Sequence, residues 1–170
     1  MRDATSADAA AIAAIYRYYV EQTIVSFEEA APDEKEIAAR MAGVQQAGLP
    51  WLVAEAGDAV IAYAYARPFH TRSAYRFTVE NSIYVAPDHA RRGLGRALTS
   101  EVIARCVAGG YRQMIAVISG DADGPSVKMH AALGFKPVGF LPSLGLKFGR
   151  WIDVIEMQLP LGEGEATVPR

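Results

Sequence analysis

Ile83-Tyr84-Val85-Ala86-Pro87-Asp88-His89-Ala90-Arg91-Arg92-Gly93-Leu94-Gly95-Arg96-Ala97-Leu98 is the stretch whose reading organises this chain. A β-rich run stops at Val85, and a helix starts at about Gly93 with Leu94, Leu98 and Val102 on one face. Glycine lets the connecting backbone turn tightly and come close to a ligand. The first N–H groups of a helix have no internal partner and carry partial positive charge, which suits an anion. Arg91, Arg92 and Arg96 can add charge-assisted bonds. A strand–loop–helix junction of this kind fits a phosphate or pyrophosphate; an ordinary helix start with solvated arginines uses the same letters. A P-loop is excluded because Gly-Lys-Ser/Thr is missing. A dinucleotide fingerprint is excluded because Leu98 stands where its third glycine belongs.

Upstream, Thr5 and Asp8 read as a capping box ahead of a helix with Ile12, Ile15, Tyr16 and Tyr19 in phase. A second helix runs from Pro32-Asp33 to Gly48 with Ile37, Met41 and Val44 on one face. Residues 51–56 and 59–66 flank Gly57-Asp58 as a hairpin, and 75–85 read as the next strand. Downstream, Gly109-Gly110 stops the helix that follows the glycine loop. Met114–Ile118 reads as a buried strand and Ser126–Leu133 as a helix. A last hairpin joins 137–144 to 151–159. The order implies one α/β domain over residues 1–161, its sheet mostly antiparallel with a local parallel section. Residues 162–170 are expected to form a flexible tail.

The 170 residues are 51% hydrophobic and 21% charged, a globular composition. A net charge of −2 argues against a nucleic-acid binder. Cys106 is the only cysteine, so no internal disulfide can form. No signal peptide or apolar run of membrane length is visible, so the expectation is a cytoplasmic protein with no membrane contact. His70, His89 and His130 lack metal-ligand spacing. A calcium loop at Asp121–Gly124 fails because its first and twelfth positions would be Ser119 and His130. No metal is expected.

Val85, Gly93-Leu94-Gly95-Arg96-Ala97-Leu98, then Ser126, His130 and Leu133-Gly134-Phe135 together resemble the GNAT acetyltransferase superfamily. Three further stretches resemble its phosphinothricin and methionine sulfoximine/sulfone N-acetyltransferase branch: Ile15-Tyr16 with Thr23 and Phe27-Glu28, Thr78–Val85, and Lys147–Asp153 ending in Met157-Gln158. The likeness spans residues 2–160. It implies a GNAT-like fold, a mixed and mostly antiparallel central sheet flanked by helices. It implies acetyl-CoA as cosubstrate, a small amino-acid-like amine as acceptor, and a homodimer. Backbone at Ile83, Tyr84 and Val85 would hold the pantetheine arm while the N–H groups of Arg91–Arg96 hold the pyrophosphate. Asp123 and Ser126 fall at further cofactor positions. Relatives commonly carry Asn where Asp123 stands, and Gln or Arg where Ala90 stands. An acceptor-only carboxylate cannot replace an amide, so the backbone must carry more of the binding.

Acyl transfer needs a neutral amine, a stabilised oxyanion and help for the departing thiolate. Glu80 is the candidate general base, with a solvent-facing strand Glu as the other reading. His130 stands where many GNAT enzymes place a tyrosine that protonates the thiolate; a packed helix histidine is the alternative. Ser126 either caps its helix or touches the cofactor. By the branch resemblance Arg72, Tyr75, Arg76, Thr78 and Val79 reach the acceptor, Arg72 first, because a guanidinium pairs with a carboxylate in a fork. Phe27 and Glu28 form one wall of that site and Lys147 and Phe148 another. Acetylation of protein or peptide amines, and a non-catalytic acyl-CoA sensor, are the competing functions.

Overall fold

The computed structural model describes residues 1–169. Its elements are β1 (Arg2–Asp3), α1 (Ala9–Gln22), α2 (Glu34–Gln46), β2 (Trp51–Ala56), β3 (Ala59–Pro68), β4 (Thr78–Val85), α3 (Leu94–Ala108), β5 (Gln113–Ser119), α4 (Pro125–Ala132), β6 (Lys136–Lys147) and β7 (Arg150–Pro160). The seven strands form one sheet in the order β1-β2-β3-β4-β5-β7-β6. All neighbours are antiparallel except β4 and β5. Helices cover both faces. On one, Leu98, Val102 and Cys106 of α3 pack on Val79, Met114 and Met157. On the other, Ile12 and Tyr16 of α1 and Met41 of α2 pack on Val53 and Tyr63.

The one parallel pair positions the site. β4 and β5 are in register only at Thr78–Glu80 against Gln113–Ile115. Past Glu80 and Ile115 they diverge, while β5 stays paired with β7 through Ser119. β4 stays paired with β3 through Val85. A gap therefore opens in mid-sheet and points at the loop before α3.

The expected strand over 75–85 begins later, at Thr78. Residues Ser73–Tyr75 form a 3-10 turn instead, with Tyr75 N–H donating to Arg72 O and Arg76 N–H to Ser73 O. Likewise α4 starts at Pro125 with Gly124 as its N-cap, so Ser126 lies inside the helix and does not cap it. Proline at the first helical position loses no bond there. The arm expected at 137–144 extends to Lys147. Phe148 (φ 51) and Gly149 (φ 72) make the two-residue turn into β7, left-handed at both positions as such hairpins require. Past β7, Leu161 is buried and Arg112 pairs with Glu163 at 3.1 Å. Arg170, the end of the expected tail, lies outside the described residues.

The capping box forms, with Thr5 N–H donating to Asp8 Oδ2 at 2.7 Å. Arg2 adds a forked pair to the same carboxylate at 2.7 and 2.8 Å. These bonds, the Arg2 contact above all, hold the Asp8 carboxyl at about 2, below its ordinary 3.8. A carboxylate depressed on folding stabilises fully above its unfolded value and loses that contribution as pH falls through the folded one. Asp8→Asn should therefore flatten the loss of stability between pH 3.8 and about 2. Urea midpoints of both proteins across that range check it.

Candidate active site

Alternation along β4 sends Glu80, Ser82 and Tyr84 to the α1/α2 face, and Val79, Asn81, Ile83 and Val85 to the α3/α4 face. Antiparallel register then sets Arg67 opposite Glu80, Tyr65 opposite Ser82 and Tyr63 opposite Tyr84. On the α1/α2 face Tyr65, Arg67, Glu80, Ser82 and Tyr84 floor a cavity of about 830 Å³, walled by Val25–Glu28, Arg40, Trp51 and the β5 residues Val117 and Ser119, with Tyr63 buried beneath. Trp51 stacks on Tyr65 with ring centroids 4.0 Å apart, and Tyr63 on Tyr84 at 5.1 Å, which makes the floor rigid and aromatic.

Glu80 sits in this floor with its side chain 13% exposed, and Oε1 accepts from Arg67 Nη2 at 2.8 Å. Glu28 accepts from Tyr16 Oη at 2.8 Å and from Arg40 at 2.7 and 3.1 Å. Although burial opposes it, these bonds hold the Glu28 carboxyl below its usual range. Burial pushes the Tyr16 hydroxyl up to about 12, so it remains a donor. Arg40 is also bonded to Glu36, which leaves Arg67 as the more open cation of the cavity, its side chain 54% exposed.

Loop 23–28 is tied to the far half of the sheet. Lys147 Nζ donates to Val20 O at 2.6 Å and Ser26 O at 2.5 Å. Ser119 Oγ donates to Ile24 O at 2.7 Å. The Phe27 ring lies on Gly145, where a Cβ would stand 2.3 Å from it. Lys147 thus reaches the cavity only through the backbone it holds. Burial lowers the pKa of its ammonium.

The loop before α3 turns sharply at Gly93, while Gly95 lies within α3. Arg91 (φ 61) and Gly93 (φ 79) are both left-handed, a conformation that curls N–H groups toward one concavity. Ala97 N–H bonds to Gly93 O at 3.0 Å, so the N–H groups of Leu94, Gly95 and Arg96 precede the first helical bond. Arg92 donates to Asp88 O at 3.2 Å. Nothing lies within 4 Å of a Cβ built at Gly93, so Gly93→Ala would be strained by its backbone alone. The expected cost is about 1–2 kcal/mol, read as a lowered thermal midpoint. Asp123 is exposed on the turn before α4, its N–H bonded to Asp121 Oδ1 at 2.9 Å.

The remaining candidates lie as follows. His130 Nδ1 stands 2.8 Å from Ser126 O, an acceptor only, so the ring proton resides there. Burial lowers its pKa and favours the neutral ring, whose Nε2 then accepts from Asn81 Nδ2 at 3.1 Å. In this arrangement the Nδ1 proton is held by Ser126 O and Nε2 faces Asn81, on the α4 side of the gap. Arg72, Tyr75 and Arg76 are exposed on the turn before β4 and do not line the cavity of their own chain; Tyr75 packs on Phe69 and His70. Val79 is fully buried in the α3-side core, and Thr78 is half-buried at the start of β4. Phe148 is 57% exposed at the hairpin turn, outside the cavity. Of the acceptor-side candidates, Phe27 and Glu28 line the cavity together with Glu80. Arg67 and Tyr65, which no motif marks, also line the cavity, and antiparallel register from Glu80 and Ser82 places both.

Among the described residues no group of three or more His, Cys, Asp or Glu could hold a metal ion. No described helix is long and apolar enough to cross a membrane. Residues 1–155 match the family model for the acetyltransferase (GNAT) domain. A phosphinothricin N-acetyltransferase of Alcaligenes faecalis is 49% identical over 162 residues, 95% of this chain and 82% of that protein. An L-methionine sulfoximine/L-methionine sulfone acetyltransferase of Salmonella typhimurium is 37% identical over 166 residues, 98% of this chain and 96% of that protein. A solved GNAT superfamily phosphinothricin acetyltransferase from Sinorhizobium meliloti, in complex with AcCoA, superposes with a TM-score of 0.95 at 47% identity. That match covers 99% of this chain and 91% of the other.

Proposed function

Because the chain belongs to the GNAT acetyltransferase family, we propose that it moves an acetyl group from acetyl-CoA to the primary amine of a small amino-acid-like substrate. Acceptors of the phosphinothricin, methionine sulfoximine or methionine sulfone type are favoured. The observation that carries this reading is the position of Glu80: it is the last β4 residue paired with β5, on the cavity floor beside the gap. Acetyl-CoA would lay its pyrophosphate on the N–H groups of Arg91–Arg96 and run its pantetheine arm along Ile83–Val85 into the gap. The amine would approach from the cavity. Glu80, directly or through a water, takes a proton from the ammonium. The amine nitrogen then attacks the thioester carbonyl carbon, and the C–S bond breaks as the tetrahedral species collapses. A second amine proton leaves through water and the thiolate is protonated, giving CoA and an N-acetyl amine.

Arg67 supports an acceptor with a carboxylate, since its guanidinium is held at the cavity floor beside Glu80. Glu28 and Arg40 close the opposite wall. We also propose a homodimer, supported by the exposed Phe140, Leu144, Leu146 and Trp151 of the β6–β7 hairpin. The site of action is proposed to be cytoplasmic, with no nucleic-acid or membrane partner, in keeping with the net charge of −2.

Initial rates with both substrates varied test direct transfer in a ternary complex. Intersecting double-reciprocal lines are expected, whereas parallel lines would point to a covalent acetyl-enzyme. A peptide array run beside free amino acids tests the acceptor class, and faster acetylation of peptides would overturn it.

A further inference from the structure

Asn81 is 7% exposed and stands one residue past Glu80, where β4 leaves β5. The His130 ring orients it. Since Nδ1 must hold its proton against Ser126 O, Nε2 presents a lone pair and the Asn81 NH₂ group faces it. That arrangement turns Asn81 Oδ1 away from the ring, buried and without a hydrogen-bond partner. A buried amide oxygen with no donor is costly and uncommon in folded proteins. The side chain lines the gap between the diverging strands, a slot of about 80 Å³ shared with Ile83, Ala116, Ile118 and Ser126. The slot adjoins the large cavity through Ser82 and Ser119, which line both. It is narrow, with apolar walls at Ile83, Ala116 and Ile118 and polar groups at Asn81 and Ser126, suited to an extended chain that brings an N–H donor.

Resting on the acetyltransferase reading, we propose that Asn81 Oδ1 accepts the amide N–H nearest the thioester in the acetyl-CoA arm, and that His130 is the positioning residue that turns this end of the amide toward the gap. The thioester itself has no donor, so the amide N–H is the complementary group next to it. His130 acts through its lone pair and not through its proton. This gives the buried His130 ring a role set by its two hydrogen-bond partners, Ser126 O and Asn81.

The test compares acetyl-CoA with an analogue carrying an ester oxygen in place of that amide N–H. The parent protein should favour the amide donor about tenfold in kcat/KM, the range expected for a lost hydrogen bond to a buried acceptor. Asn81→Leu should reduce the preference to about twofold or less while leaving KM for the amine unchanged. His130→Leu should also abolish the preference. His130→Gln, whose side-chain oxygen can take the same Asn81 N–H, should restore part of it. A merely structural effect on packing would slow both donors alike and leave the ratio intact. Equal use of both donors by the parent, or a preference that persists in Asn81→Leu, overturns the proposal. Should the Leu variants fail to fold, Asn81→Ala, which also lacks the acceptor, and the parent's own ratio decide by the same criterion. No transfer from acetyl-CoA by the parent would overturn the acetyltransferase reading as well, so the two failures are distinguishable.

Discussion

Glu80→Gln is expected to lower kcat by about 10²–10⁴-fold, the usual contribution of a positioned general base. KM for acetyl-CoA and the thermal midpoint should change little. Gln keeps the side-chain oxygen that accepts from Arg67 Nη2 at 2.8 Å, and the β3–β4 register at Arg67 and Glu80 is a backbone property. What is lost is the capacity to take the ammonium proton. The loss should therefore appear in kcat and kcat/KM together, as for a group that acts only in the transition state. Steady-state thiol release under saturating amine reads it. A variant within about twofold of the parent's kcat, where removal of a base predicts orders of magnitude, would take Glu80 out of the mechanism.

Lys147→Met carries the second large effect. The Lys147 ammonium is buried and donates to the carbonyls of Val20 and Ser26 at 2.6 and 2.5 Å. Met fills much of the same volume but leaves both oxygens without that donor, at about 2–3 kcal/mol in stability. Ser26 also pairs with Tyr16 Oη at 2.8 Å, and Tyr16 with Glu28, so the disturbance passes to the cavity wall. Urea unfolding should show the lower stability, and initial rates a raised KM for the amine with KM for acetyl-CoA much less affected. An unchanged amine KM would mean that loop 23–28 holds its shape without Lys147.

What was legible from the sequence was local chemistry. A glycine at 93, between a β-rich run and a helical pattern, marks a helix start, and Gly93 is the left-handed N-cap of α3. Thr5 and Asp8, three residues apart, formed their capping box for the same reason. Contacts set by strand pairing were not legible. Arg67 meets Glu80, and Trp51 meets Tyr65, through antiparallel register. A shift of one residue would send each to the opposite face. Lys147 read as a wall residue because its reach to carbonyls on α1 and loop 23–28 crosses half the fold. For His130 the letters left an acid and a packed helix histidine both open, because the tautomer depends on Ser126 O and Asn81, which the letters do not display. The 3-10 turn at Ser73–Tyr75, where the letters run on into a strand pattern from 75, sets Arg72 and Arg76 outside the cavity of their own chain.

The proposed function has this cavity present an amino-acid-like amine to acetyl-CoA. Its most direct test is thiol release from acetyl-CoA by the parent protein across a panel of free amino acids that includes phosphinothricin, methionine sulfoximine and methionine sulfone. Acceptor-dependent release, with the N-acetyl product identified by mass, is the predicted result. Binding of acetyl-CoA with no acceptor-dependent release from any free amino acid in the panel would contradict it.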